Sequence, residues 1–324
     1  MSSRSAGRRP HPLRWVLSGA MVRSWLHAFR TSRSALYFRA RNRFASTPVR
    51  GEAPVVVSLT SYGSRIRTVH LAVESMAHGT VRPQRLILWL EDPAVVARPP
   101  APLARLVRRG LEIRATEDWG PHKKYYPYVR SRARHELPLV IADDDVLYGG
   151  TWLEELLAVH ERHPADVVAH RAHRMRVQAG RIQPYATWVP GAPAGASLLT
   201  FATGTSGVLY PPHVLDALRE AGSGFTVCAP RADDVWLHVV ALRRGVGTRP
   251  VHDGRTMYRP IPRLVIRGLK TTNVLRGGND MQIAATYCPS DVEELERARA
   301  ADGPWARGRA VPPPPDHRPS PHGR

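Results

Sequence analysis

Three consecutive carboxylates, Asp143, Asp144 and Asp145, directly follow the apolar run LPLVIA of residues 137–142. Clustered like charges at the end of a buried strand cost free energy unless a cation, hydrogen-bond donors or open water offset their repulsion. Two carboxylates at positions i and i+2 around a tight bend can hold one hard divalent cation, which binds diphosphate oxygens and neutralises a leaving group. The segment therefore predicts a metal and phosphate site. The alternative is a solvated turn before the helical pattern of residues 151–163.

The elements that must position these carboxylates alternate along the chain. Four apolar segments predict strands, at residues 54–62, 85–92, 111–118 and 137–145. Between the first three strands, residues 67–79 and 102–110 carry helical patterns that end at glycines. Strands and helices that alternate at this spacing predict right-handed crossovers and a mostly parallel sheet flanked by helices, so the fold class is α/β.

Polar side chains stand at the end of every predicted strand. They are Thr60, Ser61 and Tyr62, then Glu91 and Asp92, then Glu117 and Asp118, then Asp143 to Asp145. Each group alone suits a turn or a helix cap. Because ligands gather at the carboxyl ends of parallel strands, four such groups together predict a binding site on one edge of the sheet.

The segment after the first strand excludes two common nucleotide-binding classes. Residues 58–65 contain a single glycine, Gly63, so neither a G-x-G-x-x-G fingerprint nor a P-loop is present. A dinucleotide-binding dehydrogenase and a P-loop kinase are therefore disfavoured.

Charge is unevenly distributed along the 324 residues, which carry a formal net charge of +20 at pH 7. Residues 1–50 contain eleven arginines and no lysine or acidic residue, so this segment supplies more than half of the excess. We expect a basic leader at residues 1–50, a single folded domain at 51–300 and a disordered Pro-rich tail at 301–324. The folded part has no helix-turn-helix or RNP pattern, so no specific nucleic-acid partner is predicted.

The location of the protein is predicted from what the chain lacks. It has no run of about 18 apolar residues, which a spanning helix needs, and Arg23 interrupts the apolar stretch of the leader, which makes a poor signal peptide. Cys228 and Cys288 stand in no CxxC pattern, which disfavours a disulfide framework. We expect a cytoplasmic protein. A leader helix with Trp15 and Leu26 would suit peripheral contact with an anionic membrane, the alternative being a disordered leader.

Six segments occur in a suggestive order within residues 52–252: VVVSLTSYGSRI, LILWLED, GPHKKYYP, VIADDDVLY, TGTSGVLYPP and ADDVWL. This ordered set resembles bacterial glycosyltransferases of the GT-A fold, close to family 2. The resemblance implies transfer of a sugar from a nucleotide diphosphate sugar, with UDP the favoured nucleotide, to a glycan or lipid-linked acceptor. It further implies Mn²⁺ or Mg²⁺ as cofactor and, in many members, inversion at the anomeric carbon. The alternatives are a nucleotidyltransferase on a related α/β fold and a non-enzymatic basic protein that binds nucleic acid or membrane.

Carried over to this chain, the resemblance assigns the nucleotide and metal ligands. It implies that Thr60 and Tyr62 contact the nucleotide, with Asp92 on its base or ribose and Asp118 nearby. Asp143 and Asp144 would lie at the nucleotide, with Asp143 facing the ribose or the metal. Asp145 would bind the metal directly, and His252 is the candidate third ligand, although a lone histidine is more often structural.

Two loops are expected to complete the donor site. Lys123 and Lys124 would add positive charge beside the diphosphate, unless this segment is a wet loop whose aromatic residues belong to the core. Gly204 and Gly207 would let backbone donors approach the donor sugar, unless they form a plain turn before a strand.

The catalytic base is expected at the start of the helix predicted within residues 228–245. Asp233-Asp234-Val-Trp-Leu resembles the Glu-Asp-x-x-Leu pattern of inverting GT-A enzymes, in which the second acid takes the proton from the attacking acceptor hydroxyl. The resemblance thus implies Asp234 as general base and Asp233 as the acceptor contact, with a shorter side chain than the usual Glu. The alternative is that one of the two carboxylates caps the helix.

Overall fold

The structure is a computed structural model, and it describes residues 33–252, 258–261 and 278–302. The expectations for Trp15, Leu26 and the Pro-rich tail concern residues outside these ranges.

The strands, in chain order, are β1 (Ala53–Thr60), β2 (Pro83–Leu90), β3 (Glu112–Ala115), β4 (Leu139–Ala142), β5 (Val146–Leu147), β6 (Val167–Ala169), β7 (Ala172–Arg174), β8 (Val177–Gln178), β9 (Arg181–Ile182), β10 (Val189–Pro190), β11 (Thr200–Ala202), β12 (Val208–Tyr210), β13 (Thr248–Pro250) and β14 (Arg259–Pro260). The helices are α1 (33–44), α2 (Val69–Ala77), α3 (Pro93–Ala97), α4 (Ala101–Arg108), α5 (Tyr126–Arg130), α6 (Trp152–Arg162), α7 (Pro212–Ala221), α8 (Phe225–Cys228), α9 (Asp233–Leu242), α10 (Gly278–Thr286) and α11 (Pro289–Ala301). Short 3₁₀ helices cover Gly63–Arg67, Gly120–Lys124 and Tyr185–Thr187.

Seven strands form the central sheet, in the order β13-β6-β12-β4-β1-β2-β3. Strands β3, β2, β1 and β4 are mutually parallel, and β13 is parallel to β6. Strand β12 runs antiparallel to both of its neighbours, β4 and β6. The predicted α/β class with a mostly parallel sheet flanked by helices is therefore confirmed, and the four strands predicted from sequence are adjacent in it.

Helices cover both faces of the sheet because successive strand side chains point to opposite sides. On β1, Val56 belongs to a core shared with α5, α7 and α9, whereas Val55 and Val57 belong to a second core shared with α1, α2, α4 and α6. All three valines are fully buried. The sheet is thus the middle of three layers, and its strand ends form the edge on which a ligand can lie.

The folded part begins before residue 51, where the sequence placed its start. Helix α1 buries Phe38 in the second core, and its Asn42 donates from Nδ2 to Glu74 Oε1 at 3.1 Å. The apolar face of α1 lies within a segment whose arginines dominate its composition, which is why charge alone suggested a leader. Among the described residues no helix is long and apolar enough to cross a membrane.

Candidate functional site

The carboxyl ends of β1 to β4 meet at one edge of the sheet, as their parallel register requires. Ser61, directly after β1, donates from Oγ to Asp144 Oδ2 at 2.7 Å, across 83 residues of sequence. Lys123 Nζ hydrogen-bonds Glu91 after β2 and lies 2.7 Å from Asp118 Oδ1 after β3. The polar groups after β1 and β4 are therefore in direct contact, and those after β2 and β3 are joined through Lys123.

The middle carboxylate of the triplet is directed into the protein. Asp144 is buried, and besides Ser61 it accepts a hydrogen bond from Arg65 Nη1 at 2.8 Å. The same Arg65 atom lies 3.5 Å from Asp145 Oδ2. Arg65 was not identified from the sequence, although its position five residues after β1 places it near this edge. With its carboxylate engaged by Ser61 and Arg65, Asp144 orders the bend, and the expected nucleotide contact through it stays a prediction.

Lys124 connects the triplet to the carboxylates at the start of α9. Its Nζ lies 2.6 Å from Asp143 Oδ1 and 3.7 Å from Asp233 Oδ2. Burial acts to lower the pKa of Lys124, but Asp143, Asp233 and Asp234 outweigh this effect and hold that pKa well above its ordinary value. A permanently charged lysine thus offsets part of the repulsion among the carboxylates, which makes the expectation of a site lysine here better supported than a wet loop.

The outer carboxylates of the triplet have the donor set of a hard divalent cation. The side chain of Asp145 is 35% exposed and that of Asp143 is 15% exposed, and both offer only oxygen ligands. Mg²⁺ is commonly bound by one or two carboxylates together with substrate phosphates and water. Asp143 and Asp145 therefore fit Mn²⁺ or Mg²⁺ bound jointly with a diphosphate.

Asp143 is held at the bend by Tyr148. The backbone N–H of Asp143 donates to the Tyr148 hydroxyl oxygen at 2.7 Å, and the Tyr148 side chain is buried. Tyr148 is itself held by its backbone N–H, which donates to Ser75 Oγ at 2.9 Å. The bend that carries the triplet is thus supported from helix α2 below it.

The paired carboxylates at the start of α9 do not cap that helix. The N-cap residue is Ala232, with no side-chain cap hydrogen bond, and Asp233 and Asp234 occupy the first turn. Asp233 is buried, and its Oδ2 has no hydrogen-bond partner. The capping alternative is therefore wrong for both residues, which leaves their carboxylates to serve the site.

Asp234 is held as a poised acid. The backbone N–H of Gly204 donates to Asp234 Oδ1 at 2.8 Å. Burial and the neighbouring charge of Asp233 raise the pKa of Asp234 to about 8, against the opposing effect of Lys124. A carboxyl whose pKa lies near neutrality can both accept and release a proton under ordinary conditions.

The two loop glycines have different roles. A Cβ on Gly204 would stand 3.1 Å from Asp234 Oδ1 and 3.4 Å from Lys124 Nζ, so the absent side chain lets the backbone approach the acid. Gly207 has φ +98°, and a Cβ there would lie 2.5 Å from the indole nitrogen of Trp152. Gly204 therefore shapes the site, whereas Gly207 is required by packing against Trp152. The sugar contact expected of both stays a prediction.

Tyr62 is a partly exposed aromatic side chain shortly after β1. Its side chain is 39% exposed, the guanidinium of Arg65 lies 5.1 Å from the ring centroid, and Lys123 Nζ lies 5.9 Å from it. A planar ring with cations beside it can stack on a base and accompany phosphate charge. Tyr125 and Tyr126, which follow the two lysines, are buried in the core, as the alternative for this segment proposed for its aromatic residues.

The remaining expected nucleotide ligands are engaged within the protein. Thr60 donates from its hydroxyl to the carbonyl oxygen of Trp89 at 2.9 Å. Asp92 caps α3 by accepting from the Ala94 N–H at 2.9 Å. Asp118 binds Lys123, and that hydrogen bond lowers the pKa of Asp118. These contacts give Thr60, Asp92 and Asp118 structural functions, and a nucleotide contact through them stays a prediction.

His252 is not grouped with the carboxylate triplet. It lies with Glu155 and His170, and within the described part of the chain no cluster of three or more His, Cys, Asp or Glu ligands joins it to Asp143 or Asp145. Only the family resemblance links His252 to the triplet, and no spacing in the sequence indicates Glu155 or His170 as its neighbours.

No protein-family model and no curated protein matches the chain. Solved structures that are similar to it include a mannosyltransferase, PcManGT, from Pyrobaculum calidifontis in complex with GDP-Man and Mn²⁺, at 13% identity and a TM-score of 0.48, covering 85% of this chain and 79% of that one. Two others are S. aureus TarS 1-349 with UDP-GlcNAc (14% identity, TM-score 0.43, 76% and 71% covered) and with UDP (14%, 0.44, 78% and 72%). At these TM-scores the likeness by itself assigns no function, and the chemistry must be read from the site.

Proposed function

We propose that this chain is a GT-A-type glycosyltransferase that moves a sugar from a nucleoside diphosphate sugar to an acceptor hydroxyl, with inversion at the anomeric carbon. The observation that carries the proposal is the bridge formed by Lys124, which binds Asp143 at 2.6 Å and lies 3.7 Å from Asp233. This bridge connects Asp143, whose oxygens suit a cation that binds a diphosphate, to the acid pair Asp233 and Asp234. A direct displacement needs these two functions on opposite sides of one reacting carbon.

The donor would lie along the strand-end edge. Tyr62 would stack on the nucleobase, and Asp145 with Asp143 would hold Mn²⁺ or Mg²⁺ together with the diphosphate. When bound, the cation would neutralise the negative charge of the leaving diphosphate. Lys124 and Arg65 hold the carboxylates in place and add positive charge near the same phosphates.

The acceptor would be activated by Asp234. In its ionised form Asp234 takes the proton of the acceptor hydroxyl as the oxygen attacks the anomeric carbon, and the C–O bond to the diphosphate breaks on the opposite face. Gly204 N–H fixes one oxygen of Asp234 at 2.8 Å, and the other oxygen would take the proton. Asp233, with an oxygen that has no hydrogen-bond partner, is the residue proposed to contact a second acceptor hydroxyl.

The proposal is tested with purified full-length protein, Mn²⁺ and a panel of nucleotide sugars. Thermal shift identifies the donor, because a ligand that binds only the folded state raises stability by mass action. Reaction with candidate glycan acceptors should then release a nucleoside diphosphate, and NMR of the product should give the inverted anomer. Release of pyrophosphate would instead identify a nucleotidyltransferase, and a retained anomer would remove Asp234 as the single base.

A membrane-associated, cytoplasmic enzyme is part of the proposal. Nucleotide sugars are made on the cytoplasmic side, and a lipid-linked acceptor would be reached by peripheral contact through the arginine-rich residues 1–32. Co-sedimentation with anionic vesicles tests this contact, which is separate from the chemistry.

A further inference from the structure

A second group of metal-binding side chains stands outside the carboxylate edge. Glu155 lies in the first turn of α6, His170 directly follows β6, and His252 lies two residues after β13. One ligand atom from each of the three lies within 4.8 Å of the other two. Glu155 Oε2 is 3.1 Å from His252 Nε2 and 3.8 Å from His170 Nδ1. Two imidazoles and one carboxylate, each from a different part of the chain, therefore have their ligand atoms close together.

His170 has its ligand nitrogen prepared by a hydrogen bond on the opposite side of the ring. Its Nε2 lies 2.9 Å from the carbonyl oxygen of Trp152, which can only accept, so Nε2 carries the proton. The other nitrogen, Nδ1, is buried without a hydrogen-bond partner and faces Glu155. The residue is 2% exposed, so the position of this ring is fixed by its surroundings. A carbonyl acceptor behind the ring is the usual means of orienting a metal-binding histidine.

Glu155 and His252 supply the other two ligand atoms on a side of the cluster that solvent can reach. Glu155 accepts from the Thr151 hydroxyl through Oε1, which leaves Oε2 directed at the histidines. The His252 side chain is 54% exposed, so an ion and its water ligands can enter from solvent.

We propose that Glu155, His170 and His252 bind one transition-metal ion, with Zn²⁺ as the preferred occupant, in addition to the Mn²⁺ or Mg²⁺ at the sheet edge. Two imidazoles and a carboxylate suit Zn²⁺, Co²⁺ or Ni²⁺, whereas oxygen-only ligands suit Mg²⁺ and Mn²⁺. Bonds of about 2.0–2.1 Å in a tetrahedral site place ligand atoms roughly 3.3 Å apart. The separations here are 3.1 Å, 3.8 Å and at most 4.8 Å, so each lies within about 1.5 Å of that spacing, and water would fill the fourth position.

The proposed ion would tie α6, β6 and β13 together beside the carboxylate edge. The ring of Tyr258 contacts His170 at 5.5 Å and Tyr148 at 5.6 Å between centroids. Tyr148 in turn receives the backbone N–H of Asp143. Three residues after Tyr258, the backbone N–H of Ile261 donates to the carbonyl oxygen of Asp145 at 2.7 Å. Fixing His170 and His252 therefore steadies the chain that supports the carboxylate triplet from behind.

The test uses the full-length protein, stripped with a chelator, dialysed and titrated with Co²⁺ as a visible probe, then with Zn²⁺ as competitor. Wild type should bind one Co²⁺ with the intense visible absorption of a tetrahedral site, and Zn²⁺ should displace it. His252→Ala and Glu155→Gln should each weaken Co²⁺ binding by about 100-fold or more, since loss of mere supporting contacts already costs 10- to 100-fold. His252 is exposed, so its variant should retain the fold, which circular dichroism checks.

Two controls separate this site from other ligands. His213→Ala changes an exposed histidine on α7 and should leave Co²⁺ affinity unchanged. Asp145→Asn changes the sheet edge and should also leave it unchanged. The proposal is overturned if wild type shows no tetrahedral Co²⁺ spectrum, if His252→Ala binds as tightly as wild type, or if Asp145→Asn alone removes the spectrum.

Discussion

Replacing Asp234 by Asn should raise stability at neutral pH while removing activity. Asp234 has a pKa of about 8 in the folded chain against an ordinary value of 3.8. Between these values the unfolded carboxyl is ionised while the folded one stays protonated, so the folded state binds more protons. Stability therefore falls as pH rises from about 4 to about 8, by roughly 1.4 kcal/mol for each pH unit.

The size of the effect follows from the same two pKa values. At pH 7 about three units of this window have been crossed, which corresponds to a destabilisation of about 4 kcal/mol. This is an upper bound, because Asp234 is only partly buried and solvent screens the charge. Asn resembles the protonated acid and has no such dependence. Asp234→Asn should thus exceed wild type in stability by up to about 4 kcal/mol at pH 7, with the difference closing near pH 4.

Urea unfolding at pH 4, 5, 6 and 7 measures this difference. Glu293→Gln makes the same chemical change at an exposed position of α11 and should show no comparable trend. In parallel, turnover by Asp234→Asn should fall by about 10²-fold or more, the usual scale for a general base, and the wild-type rate should rise toward pH 8. A stability difference that does not vary with pH, or a variant that unfolds while keeping its activity per folded molecule, would refute the assignment.

Four further outcomes are expected from the geometry. Asp145→Asn should keep the fold but lose Mn²⁺-dependent binding of nucleoside diphosphate, measured by calorimetry with and without Mn²⁺; undiminished affinity would contradict the metal assignment. Tyr62→Ala should weaken binding of the nucleotide by about tenfold or more, since stacking on an aromatic ring is worth about 1–3 kcal/mol per base, and Tyr62→Phe should bind normally. Glu74→Gln should lower the free energy of unfolding by about 3–5 kcal/mol, because the fully buried Glu74 pairs with Arg109 at 3.1 Å and its loss leaves a buried charge unpaired; urea unfolding checks this. Removal of residues 1–32 should reduce vesicle binding without lowering the melting temperature, since α1 is retained, and equal vesicle binding would contradict a role for these residues.

The sheet and the edge that carries its polar strand ends were predictable because their signals are local. Continuous apolar runs of strand length, each followed by polar residues and a helical pattern, predict β1 to β4 with errors of a few residues. Strand β12 was not expected to run antiparallel between β4 and β6. Its three residues carry no information about direction, which is decided by the tertiary pairing with Leu139 to Ile141.

The site was predictable only where one segment carries several of its groups. The triplet at Asp143 and the pair at Asp234 are contiguous in sequence and are visible as motifs. Arg65 binds Asp144 across 79 residues, and His170 meets His252 across 82 positions, so no spacing rule indicates either contact. Asp92 is visible in the sequence, but its role is not, because an acid after a strand can be either a ligand or a helix cap. In the structure Asp92 caps α3.

The hydrogen bond from Gly204 to Asp234 has a consequence for donor survival. On the proposed mechanism the base is assembled before any acceptor arrives, so a water molecule in the acceptor position could be activated in its place and the sugar lost to hydrolysis. The raised pKa limits this loss, because a protonated Asp234 cannot accept a proton from water. Idle turnover in the absence of acceptor should therefore be slow at pH 7 and increase in alkaline buffer, which makes the same acid both the base for transfer and the safeguard of the donor.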